Sequence, residues 1–471
     1  MTASTPTTSQ QSDPRVMRRI AVAGAAATTA EWLDFYVYTT AAALVLGPLF
    51  FPEQSAAVGT IAAFGTLAVG FLARPIGGII AGHLGDRWGR RPTLVLAMVV
   101  MGTATTLIGL LPTHATVGAL APVLLVLLRL VQGLGVGAQW AGGALLLTEH
   151  APVRLRGFYG SLGQLGACLG AALANGIFLV LTLLLSDDSF RAWGWRLPFL
   201  GGFVVVLFGL YVQRRIEETP VFLHLRAANA GKPSSARPPL VEVLRTHRTA
   251  VLQAAGAFLV SNAAFYVLST GMVDYGSRVL GLSRGTVLGL VMGAGLVPVV
   301  ALPLFGLLSD RIGRKKLFLV GTVCMAIWVW PLFLFADSRN PWLLGLGLVV
   351  AYVIHSSMYG PLAAMFVEMF PAEVRFSGAS LGYQIASVLA GGFAPTIMAT
   401  LVAVTGRSWS VSAYLTVLAV ITFVAVCSIT EAFRRDLFAT GATGAVGTAG
   451  SVDTGDTSSV AGAESPSVRN Q

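Results

Sequence analysis

Gly82-His83-Leu84-Gly85-Asp86-Arg87-Trp88-Gly89-Arg90-Arg91 returns 224 positions later as Gly306-Leu307-Leu308-Ser309-Asp310-Arg311-Ile312-Gly313-Arg314-Lys315. Gly82, Asp86, Arg87, Gly89 and Arg90 keep their identity. A second set, Glu149, Pro152, Arg156, Ser161, Leu162 and Gly163, returns 219 positions later as Glu368, Pro371, Arg375, Ser380, Leu381 and Gly382. Two motifs repeated at nearly one offset mark a chain built from two copies of one unit.

The surroundings of these motifs say what the unit is. Of 471 residues, 55% are hydrophobic and only 11% charged, whereas soluble domains carry about 25% charged residues. Mean hydropathy is +0.75. A soluble multidomain protein, a disordered chain and a nucleic-acid binder are excluded, even though the net charge is +10. Twelve apolar blocks run at approximately 20–46, 56–82, 92–111, 119–148, 157–185, 197–213, 249–273, 286–308, 317–335, 341–367, 376–405 and 409–430. A membrane-spanning helix needs about 20 apolar residues, and lipid admits no open sheet edge. The fold class is therefore an all-α polytopic membrane protein of twelve transmembrane helices. Each motif falls between equivalent blocks on the same side, so the six-helix repeats are parallel. That architecture carries its substrate site where the halves meet.

Lysine and arginine placement gives orientation. Twenty-three of the 31 lie on the side of the termini and repeat motifs, six on the other, and two within helices. Both termini are expected in the cytoplasm, in a multi-pass protein of the plasma membrane. The expected organisation is a cytoplasmic tail (1–19), a six-helix bundle (20–213), a cytoplasmic connector (214–248), a second bundle (249–430) and a largely disordered tail (431–471). No cleavable signal peptide is legible. Cys168, Cys324 and Cys427 sit in separate blocks and read as buried packing residues. The six histidines are scattered, and no metal-ligand cluster or G-x-x-x-x-G-K-[ST] phosphate loop appears. These features exclude an intramembrane enzyme and a nucleotide-driven pump.

Four permanently charged residues lie inside the apolar blocks: Glu31, Asp34, Arg74 and Arg129. Each costs at least about 2.5–3.5 kcal/mol at a helix centre, so such residues face a polar cavity and pair. Glu31 and Asp34, three apart, share a helix face. Asp34 and Arg129 are expected to interact across the first-half cavity, with protonation of an acid releasing the arginine. Asp34 is the preferred proton carrier; Glu31 is left to bind substrate or to pair with Arg74. A static ion pair between the first and fourth helices is the alternative.

The loop pattern G-x-x-x-D-R-x-G-R-[RK] resembles the signature of the major facilitator superfamily. Three first-half stretches are similar to its metabolite:proton symporter family. These are Glu31-Trp32-Leu33-Asp34-Phe35-Tyr36 with Phe50-Phe51-Pro52; Arg74-Pro75-Ile76-Gly77-Gly78; and Arg129 through Gln132-Gly133 to Glu149. Arg375-Phe376-Ser377-Gly378-Ala379-Ser380 adds a fourth. That family includes carriers of 2-oxoglutarate, citrate, shikimate, and proline or betaine. The resemblance covers about residues 20–430 and implies a bacterial secondary transporter that works as a monomer in membrane lipid by alternating access. It implies a proton as coupling ion, a small molecule as substrate, no other cofactor and no nucleic-acid partner. Proton-coupled uptake of a small organic acid is the expected function, with Arg74 and Arg129 as carboxylate partners. An osmolyte (proline or betaine) symporter and a drug or metabolite efflux carrier are the alternatives.

The resemblance also implies site residues. Cavity-lining candidates are Arg74, Gln132, Gln139, Trp140, Asn175, Asn262, Tyr266, His355 and Tyr359. Asp86, Arg87, Arg90, Glu149 and Arg156, with Asp310, Arg311, Arg314, Glu368 and Arg375, match a cytoplasmic latch that breaks as the halves rock. The family commonly has a glutamate where this chain reads Gly137-Ala138-Gln139-Trp140, and Gln139 cannot ionise.

Overall fold

The computed structural model describes residues 14–88, 90–137, 151–204, 245–371 and 374–431, with Ala144, Leu147, Thr148, Leu207, Val243 and Phe433. Most of the connector and of the C-terminal tail, and the first 13 residues, fall outside that description. Chain contacts divide the protein after Phe438, and every described residue belongs to the first unit. Within it the described secondary structure is helical.

In the first half, α1 runs Pro14–Ala41 and continues through Ala42–Leu46 and Gly47–Phe50. It begins inside the segment expected to be an N-terminal tail. Next come α2 (Ala56–Trp88), α3 (Arg90–Leu110), α4 (Leu120–Val136) and α5 (Arg156–Leu184). Helix α6 starts at Leu197–Leu200, and residues 205, 206 and 208–213 of its expected span lie outside the described residues.

The second half repeats the order. Helix α7 runs Arg248–Tyr266 and is prolonged to Val279; α8 is Arg284–Gly295 followed by Pro298–Ile312. Then follow α9 (Arg314–Asp337), α10 (Pro341–Met369), α11 (Arg375–Ala386, continuing to Thr405) and α12 (Trp409–Ser428). Among the described residues, nine segments are long and apolar enough to cross a membrane. Helices α3 and α4 contribute shorter apolar stretches, Val95–Leu110 and Leu120–Val136.

The surface is that of a protein solvated by lipid. Leu183, Leu184, Leu334 and Val404 are all more than two-thirds exposed, a pattern that in water would mark an aggregation-prone patch. Cys324 and Cys427 share this outward surface, so of the three cysteines only Cys168 is a buried packing residue.

Helices approach closely where side chains are absent. A Cβ on Gly133 of α4 would strike the Gly70 carbonyl of α2, and one on Gly137 would strike the Arg74 carbonyl. Small residues allow this backbone proximity, which dispersion and packing stabilise in a medium with no hydrophobic drive between helices. Gly157 of α5 and Gly306 of α8 meet the same way across the two halves. Wide π-helical turns interrupt α1 at Ala42–Leu46, α7 at Val267–Gly271 and Tyr275–Val279, and α11 at Ser387–Gly392. Such turns frequently occur at functional sites; the first helix of the first half has one and that of the second half has two.

Candidate functional site: a relay and a cavity on opposite faces of one helix

Helix α1 presents two faces to two different environments. Trp32 and Tyr36, four apart, point toward the second half, whereas Asp34 lies about 200° around the helix from each. Asp34 is 4% exposed and faces α3 and α4. Its Oδ2 accepts from Thr105 Oγ1 at 2.7 Å and from Gln132 Nε2 at 3.0 Å. Gln132 Nε2 also donates to Thr105 Oγ1 at 2.6 Å, and Gln132 Oε1 accepts from Arg129 Nη1.

Asp34 and Arg129 thus interact through the Gln132 amide, which binds both. Gln132, expected among the substrate contacts, uses both ends of its side chain in this relay. The rest of the Arg129 guanidinium lies over the Tyr38 ring, 3.6 Å from its centroid. Arg74 of α2 rests on aromatic faces too, 3.9 Å from Phe71 and 4.7 Å from Phe35. Cation–π attraction supplies part of what water would have given each guanidinium. The Glu31 side chain lies outside the described residues, so a pairing with Arg74 has no geometry here.

The other face of α1 closes a cleft between the halves. Trp32 and Tyr36 of α1, Ala167 of α5, and Phe258, Ser261, Asn262, Phe265 and Tyr266 of α7 line it, with His355 and Tyr359 of α10 and Tyr383 of α11. The free space inside it, about 10 Å³, is roughly what one water molecule needs, so the side chains nearly fill it. The walls are a continuous aromatic stack: Phe258 on Tyr383 at 4.7 Å, Phe265 and Tyr359 on His355 at 5.2 Å each, and Tyr36 against Tyr266 at 6.0 Å. His355 Nε2 meets Ser261 Oγ at 3.3 Å, and Asn262 Nδ2 donates to the Ala386 carbonyl at 3.3 Å.

Four of the expected contacts, Asn262, Tyr266, His355 and Tyr359, therefore converge on one cleft. Asn175 instead binds within the first half, accepting from Thr40 Oγ1 at 3.3 Å. Gln139 and Trp140 lie outside the described residues. Sequence reading missed Trp32, Tyr36, Thr105, Phe258, Ser261, Phe265 and Tyr383. A signal was available for α7: residues 258, 261, 262, 265 and 266 fall on one helical stripe.

Interactions across the halves bracket the cleft. At the end bearing the repeated motifs, the Asp310 carboxylate accepts from the backbone N–H of Gly157 at 2.9 Å and of Phe158 at 3.0 Å. A carboxylate at the start of α5 meets unsatisfied amides and the positive end of the helix dipole. Asp310 also pairs with Arg314 at 2.7 Å, and Arg314 reaches Glu368 at 3.3 Å. Arg156 lies near Glu368, and Arg375 donates to the Phe370 carbonyl at 3.3 Å. Arg311 is exposed. The side chains of Asp86, Arg87 and Arg90, and Glu149 altogether, lie outside the described residues. At the other end Arg284 of α8 pairs with Asp187, after α5, at 3.1 Å. With bridges at both ends and a narrow cleft between them, the arrangement is occluded.

Comparison with known proteins agrees with this architecture. The sequence model of the Major Facilitator Superfamily matches residues 24–395 and again 286–448. The shikimate transporter of Escherichia coli (strain K12) is 39% identical over 403 residues, 84% of this chain and 91% of that protein. The inner membrane metabolite transport protein YhjE of the same organism is also 39% identical, over 89% of this chain and 95% of its own length. The proline/betaine transporter of Salmonella typhimurium is 33% identical over 90% of this chain and 86% of that protein. Among solved structures, a D-xylose-proton symporter matches with a TM-score of 0.65 at 20% identity, covering 87% of this chain and 98% of that one; this likeness concerns the fold.

Proposed function

The chain belongs to the major facilitator superfamily and is a multi-pass membrane transporter of metabolites, not an enzyme; from that premise we propose proton-coupled uptake of a small organic acid by alternating access. One observation carries the choice of an anion. Two buried guanidiniums, Arg74 and Arg129, keep nitrogens without a hydrogen-bond partner: Arg74 Nη2 and Arg129 Nε and Nη2. The local field favours a negatively charged guest, and the relatives include a shikimate transporter.

The mechanism follows from the two faces of α1. Asp34 is the proton carrier: its Oδ2 takes both donors, and its Oδ1, buried and without a hydrogen-bond partner, is the oxygen open to a proton. Substrate enters the aromatic cleft on the opposite face, with Arg74, 5.8 Å from the ring of Trp32 in the cleft wall, as its carboxylate partner. Protonation removes the charge that Thr105 and Gln132 hold, loosening α1 from α3 and α4. The same helix wall, through Trp32 and Tyr36, then re-forms the cleft around the substrate. Breaking the Asp310–Gly157 bridge opens the motif-bearing end, which the lysine and arginine asymmetry favours as the cytoplasmic one. The carrier works as a monomer in lipid, with the proton as its only coupling ion.

The aromatic walls favour a second reading. Rings attract quaternary ammonium groups, and relatives include a proline/betaine transporter, so a zwitterionic osmolyte is the alternative substrate. The test is internal pH in proteoliposomes on addition of shikimate, 2-oxoglutarate, citrate, proline or betaine. Acidification by one of the acids, absent in Asp34→Asn, supports the first reading. Acidification by betaine or proline alone supports the second, and silence to all five rejects both.

A further inference from the structure

We propose that Gln132 is a positioning residue that insulates Asp34 from Arg129, holding the two charges one amide apart so that the carboxylate can exchange its proton. The proposal rests on the reading of Asp34 as proton carrier and assigns to Gln132 a role other than substrate contact.

The geometry admits one orientation of the amide. Oε1 must face Arg129, which only donates, and Nε2 must face the Asp34 carboxylate, which accepts. In that orientation the two Nε2 hydrogens serve Asp34 Oδ2 at 3.0 Å and Thr105 Oγ1 at 2.6 Å. The Thr105 hydroxyl is left to donate to Asp34 at 2.7 Å. Gln132 is 2% exposed, so solvent does not compete for these bonds. Without the amide, Arg129 loses the acceptor that engages its Nη1 beside Asp34. An adjacent arginine favours the ionised form of a carboxyl by about 1–3 pH units, and such a pair would hold the acid deprotonated through the cycle.

The groups around Asp34 leave this role to Gln132. Helix α1 itself contributes Tyr38 and, on the same face, Glu31, whose side chain lies outside the described residues; α2 contributes Arg74 across Phe35, and α7 contributes Tyr266 against Phe35. Helix α3 presents the neutral Thr105, and α4 presents Arg129. Helix α5 packs on α1 through Gly166 and Gly170 and carries Cys168 in that stretch. Arg196, before α6, is engaged by the Gly109 and Leu111 carbonyls at 2.8 and 2.6 Å. Of the two arginines, Arg129 is the one the amide binds and restrains.

The test needs no substrate. Infrared difference spectra of the full-length protein in lipid follow carboxyl protonation with pH, and the Asp34 band is assigned by its loss in Asp34→Asn. In Gln132→Ala the carboxylate loses a neutral donor and gains the guanidinium as a charge-assisted one, about twice as strong, and the band titrates lower than in the wild type. In Gln132→Glu, nearly isosteric, a second carboxylate takes Arg129 and repels Asp34, and the band titrates higher. Opposite displacements are the expected result, and a purely structural amide would not produce them. A midpoint that is unchanged or rises in Gln132→Ala, or movement of both variants in one direction, overturns the proposal. If Asp34→Asn still accumulates substrate against a gradient, the carrier reading fails separately from the insulator.

Discussion

The carboxylate of Asp310, on α8 of the second half, accepts the backbone N–H of Gly157 at 2.9 Å, on the first turn of α5 in the first half. One motif residue thereby ties the two halves together at the end where the motifs lie. In Asp310→Asn a neutral amide replaces a carboxylate that takes two backbone donors. Hydrogen bonds to charged groups contribute about 1.5–3 kcal/mol each, so the equilibrium should move at least about tenfold toward opening at that end. Spin labels at Val153 and Ile312, both surface positions, with the three native cysteines changed to serine, would report a longer distance. An unchanged distance distribution would remove Asp310 from the closure.

Asp34→Asn should abolish accumulation driven by an inward proton gradient while retaining substrate exchange. Exchange needs the carrier to reorient loaded, and a neutral side chain at 34 mimics the protonated acid. The expected pH profile of exchange is flat in the variant, and wild-type accumulation should fall as external pH rises and protonation of Asp34 is lost. Counterflow and an internal pH dye measure the two together.

Arg129→Ala should lose transport, and Arg129→Lys should not restore it. The guanidinium both donates to Gln132 and lies over the Tyr38 ring. An ammonium on a flexible stem cannot do the two at once. Uptake by Arg129→Lys above one-tenth of wild type would show that charge alone suffices.

Tyr359→Leu should raise the substrate KM about tenfold or more, as expected for loss of a central aromatic contact, and leave the infrared titration of Asp34 in place. Tyr359 stacks on Phe265 and His355 within the cleft, on the opposite side of α1 from the acid. A displaced titration would mean that the two faces are not separate sites.

Gly133→Ala should destabilise the protein by about 1–3 kcal/mol, because the new methyl meets the Gly70 carbonyl and overpacks the α2–α4 contact. Gly65→Ala, on the same helix pair with nothing within 4 Å, should be neutral or slightly stabilising. Thermal unfolding in detergent compares them, and equal midpoints would contradict the packing argument.

The order of helices, the doubling of the chain and the sites of its buried charges were legible without coordinates. Asp34, Arg74 and Arg129 stand out because charge inside an apolar block is costly. Asn262, Tyr266, His355 and Tyr359 were reached through resemblance and do meet in one cleft. Thr105 was not found, since a threonine in a helix is unremarkable until its hydroxyl is seen 2.7 Å from a carboxylate. Phe258, Phe265 and Tyr383 were overlooked because aromatic residues in apolar blocks read as lipid-facing or core.

Sequence by itself determined that the chain is a parallel repeat of helices in a membrane, because apolar length and motif spacing are one-dimensional quantities. Tertiary structure decided which residues share a site. Gln132 is three positions from Arg129 and 98 from Asp34, and only packing of α4 against α1 puts its amide between them. The same packing turns Asp34 away from the cleft that Trp32 and Tyr36 line. Hydrogen bonds act over about 3 Å, a distance that spacing along the chain does not specify.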